Sequence, residues 1–385
     1  MKAHKVRTYS TAIGTICVSL LLLTCVPFLP ADLQAAAYNY NVGFRTIGQW
    51  PVINGRGLDI NVWYPSTSPH RTLSYPPWEI TAARGGRLVE GRFPLLILSH
   101  DSPANRFAYH DTAAWLASLG FVVAAPEHAR DCMDNMADLF GWEQLQDRVD
   151  ELRTTIDLLL VHPDLSAAIA PQRIALLGYG AGAAAALLLG GAMPDCEGWK
   201  GYCESAAPGD MYCNAWARER ITGMCAVFPL TRSLADQRVK TVAAIATGFP
   251  MIFGASSFDY YYPPTLVVGA QADQNRVQAL AGTIGDGAQF SLIPGANSGS
   301  FLATCPDVLA QELPELCHSV DESDRWRIHR SLNLILNEFF LQHLRSDDNL
   351  PDIPAPPDLT PKPAPPAKTA PATPPAPHGR RHPPR

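Results

Sequence analysis

From Phe93 to Ser99 the chain reads FPLLILS, a continuous apolar run one strand long with no polar face. That is the pattern of a parallel strand covered on both sides. It recurs in FVVAAP from Phe121, IALLG from Ile174, KTVAAI from Lys240 and TLVVGA from Thr265, and in weaker form in AQFSLI from Ala288. GLDINVWYPS, from Gly57 to Ser66, alternates polar and apolar positions instead and predicts an antiparallel edge strand. Between these runs the period changes to that of a helix. YHDTAAWLASLG is amphipathic and closes at Gly120; a longer helix is predicted from Trp142 to Val161, with Val149, Leu152, Ile156 and Leu159 on one face. A last helix is predicted from Ser323 to Leu344. Alternating strands and helices imply an α/β fold, a mostly parallel sheet of about eight strands wrapped on both faces.

The stretch RIALLGYGAGAAAALLLGG, from Arg173 to Gly191, joins one such strand to an Ala/Leu helix through Gly178, Gly180 and Gly182. Two motifs compete for it. Gly178, Gly180 and Ala183 fit a loose dinucleotide fingerprint, which belongs in the first strand-to-helix turn, with an acidic residue about 20 positions on. The same stretch fits G-x-S-x-G, the nucleophile elbow, with glycine in place of serine. Here the glycines follow what reads as the fifth strand, and a cysteine-bearing segment comes next. The order selects the elbow.

Composition bounds the ends. Lys2, Lys5 and Arg7 precede an apolar run from Ala12 to Leu29 and an AAA sequence before Tyr38, so residues 1–37 read as a secretory signal cleaved after Ala37. The run also approaches spanning length, which leaves an uncleaved membrane anchor as the alternative; Cys25 after LLT is a weak lipoprotein match. Beyond the leader stand seven cysteines, Cys132, Cys196, Cys203, Cys213, Cys225, Cys305 and Cys317. In an exported protein these imply disulfides and one unpaired thiol, with Cys305 and Cys317 flanking one loop; the spacing leaves the connectivity open. The expected organisation is a folded domain over residues 38–346, with a Cys-rich insertion at about 191–239, followed by a Pro-rich disordered tail over 347–385. A periplasmic or secreted location follows. A net charge of −6 without a basic stripe argues against nucleic acid.

YNVGFRTI, DINVWYPS, FPLLILSHDS, AYHDTAAWLASLGFVVAAPEH, IALLGYGAG and DRWRIHRSLNLILNEFFLQHL together resemble the dienelactone-hydrolase-like branch of the α/β hydrolases, related to the platelet-activating-factor acetylhydrolases. The resemblance implies an α/β-hydrolase fold and a serine triad acting on carboxylic esters. The residues at the matching positions do not supply that triad. Gly180 stands where the nucleophile belongs. Ser298, in PGANSGSFL, stands where the resemblance implies the histidine, and a serine is no general base at neutral pH. Asp273 matches the dienelactone-type acid. Asp101 follows His100 where glycine is implied, so a carboxylate meets the oxyanion hole, whose other donor position is Ala181.

These departures predict a pseudo-hydrolase without cofactor that binds an apolar, ester- or lipid-like ligand, or a cell-envelope partner through the Pro-rich tail. The alternative is an active esterase with Ser102 or Cys132 as displaced nucleophile, or with a metal held by His100, Asp101, His128 and Asp131.

Overall fold

The computed structural model describes residues 40–344 except 49–51, 54–55, 207 and 228–233. The leader expected over 1–37 and the tail expected over 347–385 lie outside the described residues.

Twelve strands are described: β1 (Asn41–Ile47), β2 (Val52–Ile53), β3 (Arg56–Gly57), β4 (Ile60–Ser66), β5 (Arg71–Tyr75), β6 (Trp78–Arg84), β7 (Phe93–Ser99), β8 (Val122–Pro126), β9 (Ile169–Tyr179), β10 (Val239–Ile245), β11 (Thr265–Ala270) and β12 (Ala288–Ile293). Ten form one sheet in the order β12-β11-β10-β9-β7-β8-β4-β1-β6-β5, and β2 and β3 pair separately. From β12 to β8 all neighbours are parallel. The apolar runs form this block because every position of β7 and β8 is buried, leaving no face for polar residues.

Helices α1 (His110–Ser118), α2 (Trp142–Val161), α3 (Ala181–Gly190), α4 (Trp199–Ser205), α5 (Ala215–Val227), α6 (Gln274–Ile284), α7 (Asp307–Glu312), α8 (Pro314–Cys317) and α9 (Glu322–His343) complete the chain. Successive strand residues point to opposite faces, so the sheet separates two cores. Leu95 and Ile97 of β7 pack with α2 and α3 on one side. Leu96 and Leu98 pack with α1 and α9 on the other. Asp321 caps α9, its carboxylate accepting from the Asp324 N–H at 2.8 Å.

Two expectations need correction. The sheet has ten strands rather than about eight, because β5 and β6 add a hairpin whose first strand is half polar and whose turn is Pro76-Pro77. Such a stretch reads as a loop. β4 is an interior strand, antiparallel to both β8 and β1 and buried throughout, rather than an edge. Its Asn61 sits at a buried position and accepts from the Thr46 hydroxyl at 2.9 Å, so a polar letter there does not mark solvent.

Three disulfides join Cys196 to Cys225, Cys203 to Cys213 and Cys305 to Cys317, and Cys132 is free and buried. Disulfides fit a secreted protein. Among the described residues no helix is long and apolar enough to cross a membrane.

Helix α9 is tied to α1 by His329 Nδ1 against the Asp111 carboxylate, while His329 Nε2 lies 2.9 Å from the Ser300 carbonyl. Burial opposes the charge on Asp111, but His329 outweighs it and lowers the carboxyl from 3.8 to about 2. Burial likewise opposes the charge on His329, and Asp111 outweighs it and raises the imidazole above 6.5. The depressed acid stabilises the fold above pH 3.8 and loses that contribution as pH falls toward 2. The raised base stabilises it below pH 6.5 and loses that contribution at higher pH. Asp111→Asn should therefore reduce stability most between about pH 4 and 6.5, read by urea denaturation across pH. A loss that does not vary with pH would contradict this charge pairing.

Candidate functional site

Parallel pairing of β7 with β9 sets Ser99 opposite Gly178. Two residues further on, the two strands deliver Asp101 and Gly180 to the same place above the sheet. Gly180 joins β9 to α3 with φ 53° and ψ −117°, a backbone that L side chains rarely adopt. Its N–H donates to the Ile245 carbonyl at 2.9 Å and its carbonyl accepts from Gly248 at 2.8 Å, so the end of β10 fixes the turn. The helix then runs hard against β7: a Cβ on Gly182 would lie 2.2 Å from the Ser99 carbonyl. This is the strand–turn–helix geometry of a nucleophile elbow.

The nucleophile's volume is filled by another residue. A Cβ on Gly180 would lie 1.7 Å from Asp101 Oδ1 and 1.9 Å from its Cγ. Asp101 Oδ1 accepts from the backbone N–H of Ala181 at 2.8 Å and of Ser102 at 2.7 Å. The donor after the elbow, which in a working hydrolase faces a developing oxyanion, is therefore occupied by a carboxyl oxygen of the chain itself. Sequence reasoning expected this carboxylate to repel an oxyanion from beside the hole; it occupies the hole. Burial pushes the Asp101 carboxyl up, against the lowering effect of its two N–H donors and of Arg148.

The Asp101 loop is clamped from below. Arg148, on α2 and fully buried, donates to the His100 carbonyl and pairs with Asp131 at 2.7 Å. Asp131 also accepts from the Ser102 hydroxyl and, at 2.6 Å, from Gln144. From above, Tyr212 of the insertion accepts from the Phe249 N–H at 3.0 Å, and its oxygen would lie 3.1 Å from a Cβ on Gly248. Tyr179 stacks on Tyr109 with ring centroids 3.7 Å apart.

Asp273 and Ser298 both line a cavity of about 40 Å³ with Thr247 and Pro250. Neither Gly180 nor Asp101 lines it. Asp273 pairs with Arg276 one helical turn away, and Ser298 is exposed at the start of a short 3-10 helix. A carboxylate neutralised by arginine and a serine without an imidazole do not make a relay.

The metal candidates are engaged with one another and with the backbone. His100 Nδ1 lies 2.8 Å from the Asp101 carbonyl and Nε2 lies 3.3 Å from Glu127. The His100 and His128 rings are 4.6 Å apart, and Asp131 is committed to Arg148. Among the described residues no three His, Cys, Asp or Glu converge as a metal set.

Sequence reasoning missed one constellation. Ser99 Oγ lies 2.8 Å from His128 Nε2, and His128 Nδ1 lies 2.6 Å from Glu151 Oε2. Burial, then Arg148 and His100, lower His128 well below the usual imidazole range, so its ring is neutral. With the ring proton kept on Nδ1 and donated to the Glu151 carboxylate, Nε2 accepts from the Ser99 hydroxyl. Serine, histidine and acid thus stand at hydrogen-bonding distances, but Ser99 is 0% exposed at the end of β7. No signal in the sequence spacing joins these three, since β7, the loop after β8 and α2 meet only in the fold. Ser102, half-buried, spends its proton on Asp131, and Cys132 has its thiol raised by burial, which disfavours the reactive thiolate.

The sheet order, the elbow and the helices on both faces define the class: this is an α/β-hydrolase-fold protein. Residues 79–176, about a quarter of the chain, are similar to the family model described as platelet-activating factor acetylhydrolase, isoform II. The matched stretch carries the Asp101 loop and ends just before Gly178. Among solved structures the chain is similar to a ferulic acid esterase from Streptomyces cinnamoneus, at 17% identity and TM-score 0.53, covering 84% of this chain and 96% of that one. It is also similar to a dienelactone hydrolase from Anabaena variabilis, at 13% identity and TM-score 0.46, covering 80% of this chain and 100% of that one. At 17% identity the likeness to the first is one of fold. No curated protein matches the sequence.

Gly180→Ser should be destabilising through the positive-φ backbone alone by about 1–3 kcal/mol, and further because the new side chain collides with Asp101. In Asp101→Gly the second component disappears. A double-mutant cycle by chemical denaturation should show coupling of about 1 kcal/mol or more; strict additivity would mean that Asp101 does not fill the nucleophile's volume. Asp101→Asn keeps an acceptor for both N–H groups without the charge. Because the folded-state carboxyl is raised, wild type loses stability relative to Asn as pH rises above the ordinary carboxylate range, and the two converge in acid. The same denaturation series across pH checks this; a gap widening in acid would contradict it.

Proposed function

We propose that this protein is a non-catalytic member of its hydrolase class, in which Asp101 has replaced chemistry at the elbow with a fixed internal contact. The observation that carries this reading is the Asp101 carboxylate on the Ala181 N–H, inside the volume a nucleophile at position 180 would need. An ester carbonyl cannot enter a hole already filled by the Asp101 carboxyl, and nothing at position 180 would attack it. The exported domain then acts by binding. An ester- or lipid-like ligand, or an envelope partner reached through the Pro-rich sequence 347–385, is the kind of target this reading assigns to it.

The second reading, an esterase with a displaced nucleophile, draws on the Ser99–His128–Glu151 distances. Its weakness is access: Ser99 is fully buried and an acyl group needs about 3 Å of approach to the hydroxyl.

Incubation of the purified protein with a fluorophosphonate probe and with p-nitrophenyl acetate separates the two. We expect no stoichiometric labelling and no turnover above the rate of heat-denatured protein. Labelling mapped by peptide mass spectrometry to Ser99 or Ser102 would overturn the non-catalytic reading. The triple variant Asp101→Gly, Gly180→Ser, Ser298→His tests the same reading from the other side. It restores the three altered positions together, and turnover gained only in the triple would tie the loss to them.

A further inference from the structure

The insertion encloses a crevice of about 670 Å³, far larger than the 40 Å³ space beside Asp273 and within the size range of small-molecule sites. It is built covalently. Cys196, just before α4, is bonded to Cys225 in α5, and Cys203 in α4 is bonded to Cys213 just before α5. Cys196, Cys203 and Cys225 all line the space, so its walls are held apart without a ligand.

The lining divides into an inert part and a reactive part. The Trp199 indole N–H donates to Thr222 Oγ1 at 3.3 Å, and the Thr222 hydroxyl donates to the Arg218 carbonyl at 2.7 Å. These donors are spent, which leaves the Trp199 ring and the sulfur bridges as an apolar surface. Arg218, on α5, is exposed, and among the described residues none pairs with its guanidinium. On the segment before α4, Asp195 accepts from the Ser256 hydroxyl at 3.1 Å. Its carboxylate is pressed against the chain, since a Cβ on Gly254 would lie 2.3 Å from Asp195 Oδ2. A planar five-donor cation, an apolar wall and a fixed carboxylate–hydroxyl pair thus face one solvent-open space.

We propose that this crevice is a binding site for a small amphipathic carboxylate. The ligand's acid takes the Arg218 fork in bidentate fashion, its apolar ring or short chain lies along Trp199 and the disulfides, and a hydroxyl donates to the Asp195 carboxylate that Ser256 holds in place. None of these residues belongs to the elbow, so the site does not depend on whether the elbow is catalytic.

Calorimetric titration of the full chain with 4-hydroxyphenylacetate, benzoate and hexanoate tests the proposal, with 4-hydroxyphenethyl alcohol as the neutral counterpart of the first. At least one acid should bind saturably, and 4-hydroxyphenylacetate at least tenfold more tightly than the alcohol. Arg218→Gln should weaken acid binding at least tenfold and leave the thermal midpoint unchanged, because Arg218 is exposed and holds no other part of the chain. Ser256→Ala should weaken the hydroxylated acid more than benzoate. The proposal is overturned if no acid binds, if acid and alcohol bind alike, or if Arg218→Gln binds as wild type. Binding abolished by Gly180→Ser with Arg218→Gln unaffected would put the ligand at the elbow and overturn it as well.

Discussion

The carboxylate of Asp101 accepts from two backbone N–H groups, Ala181 at the head of α3 and Ser102 in its own loop, and the surrounding architecture is arranged around those contacts. A buried backbone donor must find a partner. In an enzyme of this fold the donor after the elbow is met by solvent or substrate and is free to meet a transition state. Here the chain meets it with its own side chain. Glycine at 180 is then required twice over, by the positive φ of the turn and by the space Asp101 takes. The two residues form one unit, since a side chain at 180 has no room while Asp101 keeps its place.

Holding a carboxylate there has an electrostatic cost, visible as the raised carboxyl of Asp101, and Arg148 offsets part of it. Arg148 is buried at 1% exposure, and a buried cation needs a complete set of acceptors. Asp131 and the His100 carbonyl provide it, and Asp131 in turn takes the Ser102 hydroxyl. The loop His100–Ser102 is thereby fixed on both sides of Asp101. His100, Asp101, Asp131 and Ser102, which sequence reasoning offered as metal ligands or nucleophile, are parts of this clamp. Their hydrogen-bonding capacity is committed, which is why a cluster of histidines and carboxylates so dense in the sequence is quiet in the fold.

How far the chain could be read follows from what each signal depends on. The fully apolar runs of β7, β8 and β9 and the length of α2 were legible because burial on both faces leaves a mark in consecutive letters. The β5–β6 hairpin was not, since its outer strand is half exposed and its turn is proline-rich. Gly180 could be placed because a glycine turn between strand and helix is local. That Asp101 fills the space above it could not, because this depends on the register of β7 against β9, which no local pattern specifies. Likewise Asp273 and Ser298 were legible as loop positions, whereas their shared cavity required the closed sheet.

Ser99, His128 and Glu151 make the same point in reverse. Their distances are those of a catalytic relay, and a search by geometry alone would select them. Yet the hydroxyl lies at 0% exposure against α3, where the Ser99 carbonyl nearly touches Gly182. A relay polarises a hydroxyl only to the extent that an electrophile can reach it. Without approach the three residues instead satisfy one another's buried polar atoms and lock the loop after β8 to α2. At the elbow Gly180 carries no side chain and Asp101 fills the space beside it, while the serine–histidine–acid geometry at Ser99 is buried. Access to the hydroxyl, as much as the three distances, decides whether such a geometry can act on an acyl group.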